Sequence, residues 1–155
     1  MKIEVYTDGA TSNNGYENAM GGWASIIYID NVEAKKVYGR MPDATNQQME
    51  MVAMIEGCSE AIALADSLGI KDIYVYSDSA YCLNCYVQKW YKNWYLNGWK
   101  NAKKQPVANR NFWEKLIPYF ENIRFHFIKV KGHSGNPKNE AVDQLAVAAK
   151  EGRII

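Results

Sequence analysis

The chain has little cysteine and no long hydrophobic run. Its 155 residues include only three cysteines, an odd number. Cys82 and Cys85 form a C-x-x-C within a helical pattern, but no second pair completes a zinc site, and Cys58 also lies in a helical pattern. We therefore expect reduced thiols and a cytoplasmic location. Because no apolar run could cross a membrane, we expect neither a signal peptide nor an anchor.

Acidic residues are missing from one long stretch. No acid lies between Asp78 and Glu114, although the whole chain carries a net charge of only +1. The same stretch holds six basic residues, Lys89, Lys92, Lys100, Lys103, Lys104 and Arg110. A basic segment in an otherwise acidic chain is typical of a protein with a polyanionic partner, although solvated surface lysines produce the same pattern.

The remaining composition is that of an ordinary globular protein. Hydrophobic residues make up 48% and charged residues 23% of the chain. This length is sufficient to bury a core without disulfides or metal ions as supports. Since no repeat or linker interrupts the chain, we expect a single domain over residues 1–155, monomeric and without an obligate protein partner.

An acidic residue follows the first predicted strand. Ile3 and Val5 alternate with polar residues, which predicts a strand running into Asp8-Gly9. Ligands of open α/β sheets bind at the carboxyl ends of strands, so Asp8 is a candidate site residue. Asp-Gly is also a common turn dipeptide, and Asp8 alone leaves both interpretations open.

The order of the predicted elements indicates an α/β fold. Residues 23–29 and 32–39 predict two more strands in an antiparallel meander. A helix that Thr45 opens and Gly69 ends precedes a strand over 71–77, which predicts a crossover and parallel pairing. The later elements are a helix over 80–88, a helix capped by Asn109 or Asn111, a strand over 124–130 and a helix from about Asn139 to 151.

A second acid repeats the position of the first. Asp78 directly follows an apolar strand, as Asp8 does, so parallel neighbouring strands would bring both carboxylates to one edge. Such close like charges repel unless a cation lies between them. Glu50 and Asp143, each early in a predicted helix, could add ligands. A hard divalent ion with oxygen ligands, such as Mg²⁺, suits this set.

Seven short motifs in this order resemble the type 1 ribonucleases H over essentially the whole chain. They are Tyr6-Thr7-Asp8-Gly9, Thr45-Asn46-Gln47-Gln48-Met49-Glu50, Ser77-Asp78-Ser79-Ala80-Tyr81, Trp90-x-x-Asn93-Trp94, Asn97-Gly98-Trp99-Lys100, Val130-Lys131-Gly132-His133-Ser134-Gly135 and Asn139-Glu140-x-x-Asp143-x-Leu145-Ala146. The resemblance implies a five-stranded mixed sheet, an antiparallel meander plus two parallel strands, flanked by helices. It also implies an endonuclease that hydrolyses the RNA strand of RNA–DNA hybrids and leaves 5′-phosphate and 3′-hydroxyl ends.

The resemblance assigns catalytic roles to five side chains. The carboxylates of Asp8, Glu50, Asp78 and Asp143 would bind two Mg²⁺ ions, with Mn²⁺ as a substitute, and Asp8 would bridge the two. His133 would assist proton transfer or product release.

The resemblance also implies a substrate surface. The amides of Asn14, Asn46 and Gln47 would read the minor groove and the 2′-hydroxyls that distinguish RNA from DNA. The positions implied on the DNA side are Thr45 and Asn109 in a phosphate pocket, Ser79, Tyr81 and Trp90 in a channel, Trp94 and Trp99 shaping a protrusion, and Lys100, Lys103 and Lys104 beside phosphates.

Two rival functions fit parts of the same pattern. The first is a hybrid-binding module without catalysis, although four repelling acids would only destabilise such a module. The second is a DNA-cutting or strand-transfer enzyme of the wider superfamily, and the histidine loop and the Trp/Lys segment argue against it.

Overall fold

The computed structural model describes residues 1–12, 18–132 and 135–153, and within them one five-stranded sheet with five helices. The strands are β1 (Ile3–Ser12), β2 (Met20–Ile29), β3 (Val32–Pro42), β4 (Ile73–Ser77) and β5 (Phe125–Lys129). The helices are α1 (Asn46–Leu68), α2 (Ala80–Gln88), α3 (Trp90–Asn97), α4 (Arg110–Phe120) and α5 (Pro137–Lys150).

The sheet order β3-β2-β1-β4-β5 confirms the predicted mixed sheet. β1, β2 and β3 form the antiparallel meander, whereas β4 pairs parallel to β1 and β5 pairs parallel to β4. Asp30 and Asn31 form the β2–β3 turn with φ angles of 49° and 68°. Two successive residues with positive φ are what a tight hairpin turn requires, and Asp and Asn tolerate this backbone.

The predicted ends of several elements were wrong. The Asp-Gly turn does not form, because β1 continues through Gly9 to Ser12 as the partner of β2. β3 likewise extends to Pro42, which pairs with Met20 at the end of the meander. Cross-strand pairing thus overrides the local breaking tendency of glycine and proline at these positions.

Local capping explains where α1 and α5 begin. The Thr45 hydroxyl accepts from the Gln48 N–H and the Gln48 side chain accepts from the Thr45 N–H, so the predicted capping box is confirmed. α1 ends at Gly69, in the left-handed conformation. α5 begins at Pro137, two residues before the predicted Asn139, because the Asn136 side chain caps it and proline suits a first helical position.

The two faces of the sheet bury separate apolar clusters. α1, α2 and α4 cover one face over a core that includes Val5, Met54, Val75 and Trp113. α5 covers part of the other face, where Val142 and Ala146 pack with Tyr6 and Ile26. No helix in the described part of the chain is both long enough and apolar enough to cross a membrane.

An ion pair fastens the start of α5 to β1. Lys138 Nζ lies 2.7 Å from Glu4 Oε1, and the Glu4 side chain is only 7% exposed. Burial by itself would raise the pKa of the Glu4 carboxyl, but hydrogen bonding and the charge of Lys138 outweigh it, so the pKa lies below its ordinary value. The pair therefore stabilises the fold only while Glu4 is ionised.

Replacing Lys138 by methionine is expected to lower the free energy of unfolding by about 1–3 kcal/mol at pH 7, because a buried carboxylate loses its main partner. Since the folded-state pKa of Glu4 is lowered, this loss is full above its ordinary pKa and shrinks as acid protonates the carboxyl. Urea titrations at several pH values measure it. The double variant Glu4→Gln/Lys138→Met should regain part of the stability, and an equal loss at pH 3 and pH 7 would contradict the assignment.

Candidate active site

The pairing of β1 with β4 aligns the two strand-end acids. Ile3 lies opposite Ile73 and Tyr6 opposite Tyr76, a constant offset in sequence. The same offset carries Asp8 level with Asp78, just beyond the last paired residues. Both carboxylates therefore project from one edge of the sheet, as predicted from the sequence.

A glycine lets helix α1 approach this edge. A Cβ atom on Gly9 would lie 2.6 Å from the backbone nitrogen of Glu50 and 2.7 Å from the Cβ of Met49. Real Cβ atoms are not found at such distances, so a side chain at residue 9 would push the helix away. The close approach, rather than a turn, is what requires glycine here. It brings Glu50, in the second turn of α1, to Asp8.

Three carboxylates meet at this point. Asp8, Glu50 and Asp78 each offer an oxygen, and these oxygens all lie within 4.8 Å of one another. Asp143 on α5 is outside that tight group, but its carboxyl lies within hydrogen-bonding reach of Asp8. The other three predicted acids therefore lie around Asp8: Asp78 directly after β4, Glu50 on α1 and Asp143 on α5.

The cluster strongly perturbs its own titration. Burial, followed by the nearby charge of Asp78, raises the pKa of Asp8 to about 8. Burial and the charge of Asp8 likewise raise the pKa of Glu50 well above its ordinary value. Both shifts have the same cause, because buried and mutually repelling carboxylates hold protons that solvated ones release. A cation between them would remove the penalty.

A divalent metal ion fits the arrangement. Glu50 Oε2 is buried and has no hydrogen-bond partner among the described residues, and Glu50 offers one carboxylate oxygen to the cluster. Hard ions such as Mg²⁺ prefer carboxylate oxygens and retain water as further ligands. Asp8, Glu50 and Asp78 could hold such an ion directly, and Asp143 could contribute from α5.

Two predicted residues, Asn14 and His133, lie outside the described residues. The chain reaches the cluster directly before His133, since a Cβ on Gly132 would lie 3.1 Å from Asp78 Oδ2. The backbone that leads into the histidine loop is thus adjacent to a carboxylate of the cluster. Its role in proton transfer and that of Asn14 in minor-groove contact stay predictions.

The start of α1 presents polar side chains beside the acids. Asn46 and Gln47 are exposed in the first turn, four and three residues before Glu50 respectively. The Thr11 hydroxyl on β1 donates to Asn46 Oδ1, which holds that amide next to the strand. The half-buried Thr45 is occupied as the helix cap. The amides predicted to read 2′-hydroxyls are therefore accessible and adjoin the carboxylates.

The Trp-rich segment forms a cleft of about 600 Å³ whose lining includes Tyr81, Trp90, Asn93 and Trp113. Tyr81 and Trp90 are half-buried, with ring centroids 6.3 Å apart, so both keep exposed surface for a ligand. Asn93 was not predicted as a site residue. Its position one helical turn after Trp90 could have indicated it, because residues three apart share a helix face.

Two of the predicted tryptophans support the segment from inside. Trp94 and Trp99 are buried, with ring centroids 5.3 Å apart, and the Arg110 guanidinium lies 4.7 Å from the Trp99 ring centroid. Their contribution is to shape the protrusion rather than to expose a ring. Trp113 is also buried in the core.

Basic side chains surround the outer end of the cleft. Lys100, Lys103 and Lys104 are all exposed on the loop after α3. The Asn101 side chain accepts from the N–H groups of Lys103 and Gln105, which orders this loop. Ser79, predicted to touch substrate, is mostly buried, and its hydroxyl accepts from the Cys82 N–H as the cap of α2.

Of the two predicted caps of α4, Asn109 and Asn111, it is Asn109 that stands at the cap position, but it does not cap through its side chain. It precedes α4, but its φ of 62° is left-handed and its side chain makes no capping bond. The amide instead bonds Gln48 and Tyr81, at distances of 3.2 Å and 3.3 Å. No local pattern could have indicated the bond between Gln48 and Asn109, because these residues are 61 positions apart in the sequence.

Comparison with known proteins identifies the family of this chain. The sequence model of the RNase H family matches residues 1–151. A ribonuclease H of Syntrophomonas wolfei is 44% identical over 94% of this chain and 93% of its own length. A ribonuclease H of Clostridium botulinum is 41% identical over 97% of this chain and 96% of its own.

Solved structures share the fold at lower sequence identity. LC11-RNase H1, crystallised in complex with an RNA/DNA hybrid, superposes with a TM-score of 0.70 at 19% identity, over 98% of this chain and 99% of its own. A foamy viral protease-reverse transcriptase in complex with dsDNA gives a TM-score of 0.78 at 19% identity, over 97% of this chain and 94% of its own. These two agree with the sheet described above, and the sequence matches carry the assignment further: the chain belongs to the ribonuclease H family.

Proposed function

We propose that this protein is a metal-dependent endonuclease that hydrolyses the RNA strand of RNA–DNA hybrids and leaves 5′-phosphate and 3′-hydroxyl ends. We further propose that residues 1–155 act as one catalytic domain in the cytoplasm, as a monomer. The observation that carries the activity is the convergence of three further acids, Glu50, Asp78 and Asp143, on Asp8 beside exposed amides. Membership of the ribonuclease H family supports it.

The acids are the proposed ligands of two Mg²⁺ ions. Asp8, the most central of them, would bridge both, while Glu50, Asp78 and Asp143 would complete the set from three further elements. Two Mg²⁺ ions bound there would activate a water molecule for in-line attack and would stabilise the leaving 3′-oxygen. The protein contributes rigid placement, since the strand ends and helix starts that carry these acids are packed in the core.

Selection of RNA requires contact with the 2′-hydroxyl, which both donates and accepts hydrogen bonds. Asn46 and Gln47 suit it because a neutral amide offers both polarities without desolvating a charge. Their place one helical turn from Glu50 sets the distance between a recognised hydroxyl and the reacting phosphate. His133, which follows Gly132 in the sequence and lies outside the described residues, is proposed to assist proton transfer.

The cleft and its lysines are proposed to hold the DNA strand. Tyr81 and Trp90 present aromatic surface on which a deoxyribose can pack, where a 2′-hydroxyl would be crowded. Lys100, Lys103 and Lys104 would pair with phosphates, and such contacts release counterions and weaken at high salt. The amide of Asn109 would donate to a phosphate nearer the active site.

The purified protein is expected to cut only the RNA of an end-labelled RNA–DNA hybrid, with Mg²⁺ and not with EDTA. Double-stranded RNA and duplex DNA of the same sequence, incubated in parallel, should stay intact, and mapped ends should carry 5′-phosphates. Binding of the hybrid without cleavage would instead favour a silent binding module. Cleavage of duplex DNA would place the chain among the DNA-cutting relatives.

A further inference from the structure

We propose that Gln48 is a positioning residue that joins the RNA-reading start of α1 to the DNA-phosphate contact by orienting the Asn109 amide. This inference rests on the proposed function, since it concerns how the two strands of one hybrid are held. Gln48 is half-buried in the first turn of α1, and its spacing from Thr45 is that of an ordinary capping-box residue.

The Gln48 amide makes two bonds of opposite polarity. Its Oε1 accepts from the Thr45 backbone N–H at 3.1 Å, and its Nε2 donates to Asn109 Oδ1 at 3.2 Å. A backbone N–H can only donate, so the capping box determines which end of the amide is oxygen. The remaining NH₂ group can only donate as well, and it faces α4.

The orientation of the Gln48 amide determines the orientation of the Asn109 amide. Because Gln48 presents a donor, Asn109 must turn its Oδ1 towards α1, and its Nδ2 then donates to the Tyr81 hydroxyl at 3.3 Å. The second hydrogen on Nδ2 remains for a further acceptor, such as a phosphate oxygen. A flipped Asn109 would present its carbonyl oxygen there and repel the phosphate.

The backbone of Asn109 supports a role other than capping. It is left-handed, with φ 62° and ψ 28°, and its side chain makes no capping bond to α4. The amide therefore lies between α1 and the Tyr81 side of the cleft. In this way one chain of bonds runs from the helix start that carries Asn46 and Gln47 to the aromatic floor of the proposed DNA channel.

Gln48→Glu separates this role from capping. A glutamate at this position still accepts from the Thr45 N–H, and capping boxes use Glu and Gln alike. Its carboxylate cannot donate to Asn109, so the amide loses the bond that orients it. We expect KM and the dissociation constant for hybrid to rise about tenfold, with kcat within about twofold of the parent. The thermal midpoint should stay within a few degrees.

The added negative charge could also repel substrate directly, and a double-variant cycle resolves this. Asn109→Gly removes the amide while suiting the left-handed backbone. If Gln48 acts through Asn109, Gln48→Glu should have no further effect on hybrid affinity in the Asn109→Gly background. An equal tenfold loss in both backgrounds, or parent-like affinity of Gln48→Glu alone, would overturn the inference.

Hybrid affinity is measured by fluorescence anisotropy in EDTA, independently of cleavage, and parent cleavage is measured alongside. If the parent protein cuts the hybrid and Gln48→Glu binds it with parent-like affinity, the positioning role of Gln48 is wrong and the proposed function stands. A parent that neither binds nor cuts hybrid counts against the proposed function, and the Gln48 inference falls with it.

Discussion

Hybrid cleavage is expected to fall by at least about 1,000-fold in Asp78→Asn, while affinity for the hybrid changes little. The substitution keeps the shape of the side chain and removes one of three carboxylates whose oxygens lie within 4.8 Å of one another. Losing one ligand charge weakens metal binding and shifts any metal ion that still binds. Because a metal ion stabilises transition-state charge by several kcal/mol, such a change lowers the cleavage rate by orders of magnitude. The measurements are single-turnover cleavage rates in Mg²⁺ and anisotropy binding in EDTA.

A matched control exists on the same strand segment. Asp72 lies just before β4, at the opposite end from Asp78, and its carboxylate pairs with His126 at 2.9 Å. Asp72→Asn makes the same chemical change away from the cluster and should cleave within about twofold of the parent. Full activity in Asp78→Asn, or loss of its folded circular dichroism spectrum, would contradict the assignment of Asp78 as a metal ligand.

The acid cluster was predictable because it depends on local patterns that topology repeats. Asp8 and Asp78 each follow a short apolar strand, and one crossover helix is enough to make those strands parallel neighbours. The capping box at Thr45 and Gln48 then locates the first turns of α1, and with them Glu50. Each step uses information within about ten residues, where sequence patterns are most informative.

The limits of the strands were less predictable because they depend on partners distant in sequence. Gly9 looks like a turn residue, yet it lies in the strand and is small because Glu50 packs against it. Pro42 looks like a break, yet it pairs with Met20 at the end of the meander. Both residues were interpreted by their intrinsic tendency, and tertiary contacts decided otherwise.

The second function of Gln48 was beyond local reasoning for a related reason. The capping box accounts fully for a glutamine three residues after Thr45, so nothing in the sequence calls for another partner. Only the fold shows that α4 brings Asn109 to the free NH₂ group. Asn109 or Asn111 was expected to cap α4; Asn109 occupies the cap position, but its backbone is left-handed and its side chain bonds Gln48 and Tyr81 instead of capping the helix.

Asp8→Asn is expected to abolish cleavage and to raise the stability of the metal-free protein. Asp8 is only 3% exposed, and burial with the charge of Asp78 raises its pKa to about 8. The unfolded chain releases this proton near the ordinary pKa of 3.8, whereas the folded protein holds it to a much higher pH. The contribution of Asp8 to the stability of the metal-free fold is therefore expected to fall as pH rises from about 4 to about 8, since this carboxyl binds fewer protons in the unfolded state across that range.

The asparagine variant removes this titration and part of the repulsion that raises the pKa of Glu50. Its free energy of unfolding at pH 8 in EDTA should exceed that of the parent by about 1–3 kcal/mol, the usual cost of an uncompensated buried polar group. Urea unfolding followed by tryptophan fluorescence, at pH 5 and pH 8, measures the difference.

Mg²⁺ should stabilise the parent, by about 2.7 kcal/mol at a hundredfold excess over its dissociation constant, and the variant much less. Asp72→Asn is the control, because hydrogen bonding to His126 lowers the pKa of this surface carboxyl, so its replacement should leave the stability unchanged or slightly lower. Two outcomes would contradict this prediction: a metal-free parent that gains stability from pH 5 to pH 8, or an Asp8→Asn variant that is no more stable than the parent. Either would show that repulsion among the four acids does not oppose folding, and would remove the argument that a cation is needed to stabilise the cluster.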